Sequence, residues 1–210
     1  MSEEIIKILQ ENAADIVKKH TAASFCRVMN NLFDDVLFCV EYRDDIDRED
    51  FIVSGIYDPN NEPMIIVPIF VRSKNLKFDI ERYWEDLGFT IYQTICHELI
   101  HLDQFCKRDD DGTPILRYNT DFRNYLDSYD EIDAYANDMA LEMLFNYKYE
   151  IALKLLATPR KIRKSRTLSL YRTAFRGVDW THTRQKLLAK VYRKLTRSVL
   201  CIPPKSSNWS

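Results

Sequence analysis

The stretch His97-Glu98-Leu99-Ile100-His101 holds two imidazoles four residues apart with a carboxylate between them. On a helix, positions four apart stand on one face, so His97 and His101 can both reach a single metal ion. Glu98 projects beside them, near enough to take a proton from an attacking water without ligating the metal. The combination reads as a zinc site with its own general base, and its chemistry would be metal-assisted hydrolysis. The surroundings suit a helix. Thr90 to Cys96 runs into the motif, Leu99, Ile100 and Leu102 continue it, and no Gly or Pro occurs from Phe89 to Asp111. That pattern predicts a mostly buried helix.

A catalytic zinc keeps three protein ligands and one open position, so a third donor is required. No histidine occurs between His101 and His182. The extended metzincin pattern also fails, with Gln104 where its Gly belongs and Lys107 where its last His belongs. A carboxylate is therefore expected, and the densest supply lies in Ser128 to Ala140. There Ile132, Ala136 and Met139 share one face of a predicted second helix that continues through Leu141 to Phe145. Glu131 falls in its first turn and is the leading third ligand, with Asp133 and then Asp130 as alternatives. Ser128 and Glu131 also have the spacing of a capping box, in which Glu131 would only reach back to the first amide of the helix.

The helix carrying His97-Glu98-x-x-His101, followed by Asp130-Glu131-Ile132-Asp133-Ala134-Tyr135-Ala136, resembles a gluzincin-type zinc metallopeptidase. More narrowly, it is similar to uncharacterised metallopeptidase-like proteins of tailed phages, in which a Glu-x-Glu/Asp-Ala-Tyr-Ala segment follows the histidine helix. Peptidases of the ImmA/IrrE type share this general plan. The resemblance spans roughly residues 35 to 146. It implies that His97, His101 and Glu131 bind zinc and that Glu98 activates water. Asp103 departs from the pattern, standing where zinc proteases usually carry a hydrophobic residue; it would either orient a ligand histidine or face solvent.

Apolar periodicity outlines the elements that must hold these residues. Residues 3 to 33 read as helical, with Ile5, Ile6, Leu9, Ala13, Ile16 and Val17 on one face. Asp35 to Tyr42, Phe51 to Tyr57 and Met64 to Val71 read as strands. The last two form a hairpin around the turn residues Asp58 to Pro63. Pro68 argues that its strand lies at an edge or carries a bulge. A small sheet before a histidine helix is the order of a zincin, where an edge strand can hold an extended peptide. Segment 107 to 127, with the acidic tip Asp109 to Gly112, is expected to line or cover the cleft.

Charge divides the chain unevenly. Residues 1 to 158 carry 16 Lys and Arg against 31 Asp and Glu, whereas residues 159 to 210 carry 14 against Asp179 alone. The boundary at 158/159 therefore separates an acidic metallopeptidase-like domain from a basic helical extension. Within the extension, Arg160-Lys161-Ile162-Arg163-Lys164-Ser165-Arg166 forms a basic run. Leu187, Leu188, Val191, Tyr192 and Leu195 form an apolar stripe between Arg184, Lys186, Lys190, Arg193, Lys194 and Arg197. An amphipathic basic helix of this kind takes nucleic acid phosphates, an oligomer partner, or the acidic part of its own chain. Burial of the stripe favours packing on protein.

At 210 residues, 46% hydrophobic and 30% charged, the chain can bury one sizeable core. No run of eighteen apolar residues appears, so no membrane span is expected. The amino terminus Met1-Ser2-Glu3-Glu4 lacks the design of a secretory signal. Five cysteines, Cys26, Cys39, Cys96, Cys106 and Cys201, form no C-x-x-C pair, and their odd number suits reduced thiols in a cytoplasm, the host's if the chain is phage-encoded. Cys96 and Cys106 flank the histidine motif and are expected to pack in the core. The resulting expectation is an α+β, zincin-like domain with a basic helical extension, hydrolysing bonds in a peptide or protein substrate with Zn2+ as cofactor. Tyr135 and His182 are candidate oxyanion donors that the spacing does not separate. The alternative is a non-catalytic phage structural or nucleic-acid-binding protein that keeps a zincin-like fold.

Overall fold

The computed structural model describes residues 2–46, 51–73, 80–108, 121–162, 164–175 and 177–197. The acidic tip Asp109 to Gly112, Arg163 of the basic run, Cys201 and the closing tail from Pro203 lie outside the described residues. The chain is a mixture of helices and one small sheet, and its contacts divide it into two compact units, one ending at Leu102 and the other beginning at Asp103. That division falls inside a single helix. No helix among the described residues is long and apolar enough to cross a membrane.

The first unit opens with three helices, α1 (Ser2–Glu11), α2 (Ala13–Ile16) and α3 (Ala22–Leu32). Ile5, Ile6, Leu9, Ala13 and Ile16 are buried, as the periodicity required. Thr21 stops the chain between α2 and α3 and starts the latter with a capping box. Its hydroxyl accepts the Ser24 N–H, and the Ser24 hydroxyl accepts the Thr21 N–H. The sheet follows, with β1 (Val36–Tyr42), β2 (Phe51–Val53), β3 (Ile56–Tyr57) and β4 (Ile65–Val71). β1 runs parallel to β4 on one side, while β2 and β3 run antiparallel to it on the other. The β3–β4 hairpin is closed by Asp58, whose N–H donates to Met64 O at 2.8 Å and whose carboxylate accepts the Asn60 N–H.

Two features of this sheet differ from expectation. The strand expected over Phe51 to Tyr57 is broken at Ser54-Gly55, and β4 is the central strand although it contains Pro68. The two facts share one cause. Ser54 N–H donates to Pro68 O at 3.2 Å, but the reciprocal bond needs a donor that proline lacks. The ladder therefore lapses opposite Pro68, and pairing resumes in the same register at Ile56↔Ile66. On the far side, Asn30 of α3 clamps the backbone of β1 at Phe38. It donates to Phe38 O at 2.9 Å and accepts from Phe38 N. The β1 edge is thus partly satisfied by the protein itself, whereas β2 and β3 form the other edge of the sheet.

Helix α4 (Ile80–Arg108) packs its apolar face into this unit through Trp84, Leu87, Ile91, Tyr92 and Ile95. It begins well before Phe89 and carries Gly88 in its buried face. At 29 residues it is by far the longest described helix, and it passes through the histidine motif without interruption.

The described part of the second unit is helical. It comprises α5 (Phe122–Leu126), α6 (Tyr129–Asn146), α7 (Tyr149–Leu156), a 3-10 turn (Pro159–Lys161), α8 (Arg166–Ala174) and α9 (Gly177–Arg197). Ile132, Ala136, Met139 and Met143 of α6 share a core with Tyr171 and Phe175 and with Leu187, Val191 and Leu195 of α9. Described residues of α8 and α9 therefore share a core with α6. Tyr192, expected in the apolar stripe, is 55% exposed, because the buried row follows the four-residue spacing Leu187, Val191, Leu195. Glu142 is buried and accepts both the N–H and the hydroxyl of Thr167 at 3.1 Å, placing a carboxylate at the amino end of α8. Gly177 holds the turn into α9 at φ 67°, a conformation costly for any residue with a Cβ.

Candidate metal centre

His97 and His101 lie one turn apart on α4, with ring centroids 4.9 Å apart and planes at 71°. His97 is 8% exposed and Glu98, beside it, 6%. Glu98 is held against the broken edge of the sheet. A Cβ added to Gly55 would lie 2.3 Å from the Glu98 Oε1 atom and 2.8 Å from its Cδ and Cγ. Only glycine lets the backbone come this close, so the gap in the ladder opposite Pro68 is also the place where the chain touches the carboxylate. Gly55 was not among the residues the motif suggested. A glycine inside an alternating strand was the available signal.

The stripe of α4 that bears the histidines continues at intervals of three and four to Gln104 and Arg108, all within about 60° of arc. These last two residues grip the start of α6. Gln104 Nε2 donates to Asp130 O at 3.2 Å, and Arg108 forms a two-pronged ion pair with the Asp130 carboxylate. Asp130 immediately precedes Glu131, and Ser128 caps α6 by accepting the Glu131 N–H at 3.3 Å. His97, His101 and Glu131 each offer a ligand atom, and those atoms lie within 4.8 Å of one another. The three residues form a group that could hold a metal ion.

The competing carboxylates are engaged elsewhere. Asp130 is bound by Arg108, and Asp133 pairs with Lys190 at 3.3 Å and Lys194 at 3.0 Å. Burial alone would raise the Asp133 carboxyl, but the ammonium groups of Lys194 and Lys190 outweigh it and hold the group below its ordinary value. Lys186 likewise pairs with Asp127 at 3.1 Å. Asp103 forms an exposed ion pair with Lys107, so of its two expected roles it takes the solvent-facing one. The ring of Tyr135 packs edge-on against Tyr171, 5.5 Å between centroids, and His182 is exposed on α9.

None of the described cysteines takes part in the group. Cys96 is buried, as expected, but Cys106 is exposed, against the expectation of core packing. It shares the outer face of α4 with Asp103 and Lys107, three residues behind the one and beside the other. Cys26 is buried, and burial with the neighbouring Cys39 pushes its thiol up to about 12. No family model matches the chain, and neither a curated protein nor a solved structure matches it.

Proposed function

We propose that this protein is a zinc-dependent peptidase of zincin-like plan, with His97, His101 and Glu131 as ligands and Glu98 as general base. The observation that carries the reading is the convergence of two imidazole nitrogens and one carboxylate oxygen beside a second, buried carboxylate. The donor set suits zinc. Two imidazole nitrogens and a carboxylate oxygen are donors that zinc takes. When bound, zinc would supply Lewis-acid polarisation of a carbonyl and leave a position open for water.

The chain's own residues account for the rest. Gly55 and the wall of α4 fix Glu98 in a nearly water-free setting, oriented to take a proton from the attacking water and return it to the leaving amine. The β2–β3 edge, which runs past Glu98 at Gly55, is where an extended peptide would add by backbone hydrogen bonds. The proposed substrate is accordingly a peptide or an extended segment of a protein.

The test is metal content together with cleavage of a mixed peptide library. About one zinc per chain is expected, with cleavage lost in Glu98→Gln while the zinc is retained. Zinc bound with no cleavage of any library peptide would favour a non-catalytic metal protein. Stoichiometric zinc in a His97→Ala, His101→Ala double variant would refute the site altogether.

A further inference from the structure

Five of the positive charges of the carboxy-terminal helices fall into two sets. Lys186 pairs with Asp127, and Lys190 and Lys194 share Asp133, all within their own unit. Arg172 of α8 and Arg184 of α9 have no ion pair among the described residues. Asp179, the single acid after residue 158, is exposed in the first turn of α9 and joins neither arginine. Both arginines line one cleft of about 450 Å³, together with Trp180, Thr181, Leu168 and Pro159. The Arg184 guanidinium lies 5.7 Å from the centroid of the Trp180 ring. Leu168 is 2% exposed and makes a fixed apolar wall, while Trp180 is partly buried.

We infer that this cleft binds a phosphate-bearing ligand with a planar ring, the chemistry shared by a free nucleotide and by one unit of a single-stranded nucleic acid. A guanidinium stays charged at every accessible pH and presents a planar fork that matches phosphate oxygens in pairs. Two such forks with no acidic partner among the described residues make a site suited to an anion. The indole supplies a flat, sequence-tolerant surface for a ring, which neither a bare phosphate nor an aliphatic carboxylate would use. The volume lies within the range of small-ligand pockets, about 300–1,000 Å³. The site is independent of the metal group, and none of its lining residues belongs to that group.

The experiment uses the full-length chain and three probes at low salt: inorganic phosphate, a fluorescent adenosine monophosphate analogue, and a fluorescent oligothymidine, followed by anisotropy. At least one ring-bearing probe is expected to bind more tightly than phosphate alone. The Arg172→Gln, Arg184→Gln double variant should weaken that binding by about tenfold or more, and Trp180→Leu should weaken it too. Lys186→Gln, which alters a paired charge, should not. Arg→Lys at both positions keeps the charge and removes the fork, and intermediate affinity is expected.

The probes also separate the two sources. Preference for the mononucleotide assigns a free nucleotide. Preference for the oligothymidine, with a salt slope flattened by about 1.4 in the double variant, assigns a single strand. Absence of binding by both ring-bearing probes, or binding unchanged in the double variant, would overturn the inference.

Discussion

Adding a single methyl group at Gly55 tests the link between the broken strand and the proposed base. In Gly55→Ala the new Cβ would start 2.3 Å from Glu98 Oε1, and ordinary contact begins at 3.4 Å. The carboxylate must therefore retreat by the difference, about 1.1 Å, and a displacement of this size at a reacting group costs about a hundredfold in rate. That corresponds to about 2.7 kcal/mol on the barrier. The three atoms nearest the new Cβ all belong to Glu98, so the histidines and Glu131 should keep their metal. Overpacking costs about 1–3 kcal/mol, and the lower end applies because the clash is with the tip of one side chain. The melting temperature should fall by only about 2–4 °C per kcal/mol. The assay pairs kcat/KM on a cleaved peptide with zinc content and thermal melting of the same preparation. A Gly55→Ala protein with full zinc and wild-type kcat/KM would refute the reasoning, because Glu98 could then move an ångström without consequence.

Four further outcomes are expected. Glu131→Ala should lose stoichiometric zinc while Asp130→Asn and Asp133→Asn keep it; metal analysis of the three decides the third ligand. With free zinc at about a hundred times its dissociation constant, the His97→Ala, His101→Ala variant should forgo about 2.7 kcal/mol of metal-linked stability, read as loss of a zinc-dependent shift in melting. Asp133→Asn should cost about 1–3 kcal/mol, since it leaves the partly buried Lys190 and Lys194 without their acid. Because the folded Asp133 carboxyl lies below its ordinary 3.8, its contribution is complete above that pH and is lost as pH falls through the folded value. The gap in stability between wild type and Asp133→Asn should accordingly close in acid, and a gap that widened there would contradict the ion-pair assignment. Under native conditions at mildly alkaline pH, a thiol reagent should label exposed Cys106 well before buried Cys26, as peptide mapping would show.

Local periodicity was enough to place His97, Glu98 and His101 on one helix, because a four-residue repeat and an uninterrupted apolar context are properties of the chain alone. The same reasoning found β1, β4, the β3–β4 hairpin and the helical character expected of residues 159–210, which the described part shows in α8 and α9. It placed the third candidate donor in one turn of α6 and put Glu131 ahead of Asp133 and Asp130, but spacing along the chain does not by itself separate these carboxylates. What separates them is which cation holds each: Arg108 is 22 residues from Asp130, while Lys190 and Lys194 are 57 and 61 residues from Asp133. Pro68 misled for a related reason. A missing N–H forbids one hydrogen bond, and only the pairing of β4 with both neighbours shows that the cost falls on a gap in β2–β3 rather than on an edge. Gly55 beside Glu98 likewise joins residues distant in sequence. Side-chain type and spacing decide what a segment can do, but the choice among equal candidates belongs to contacts that form only when separate segments pack.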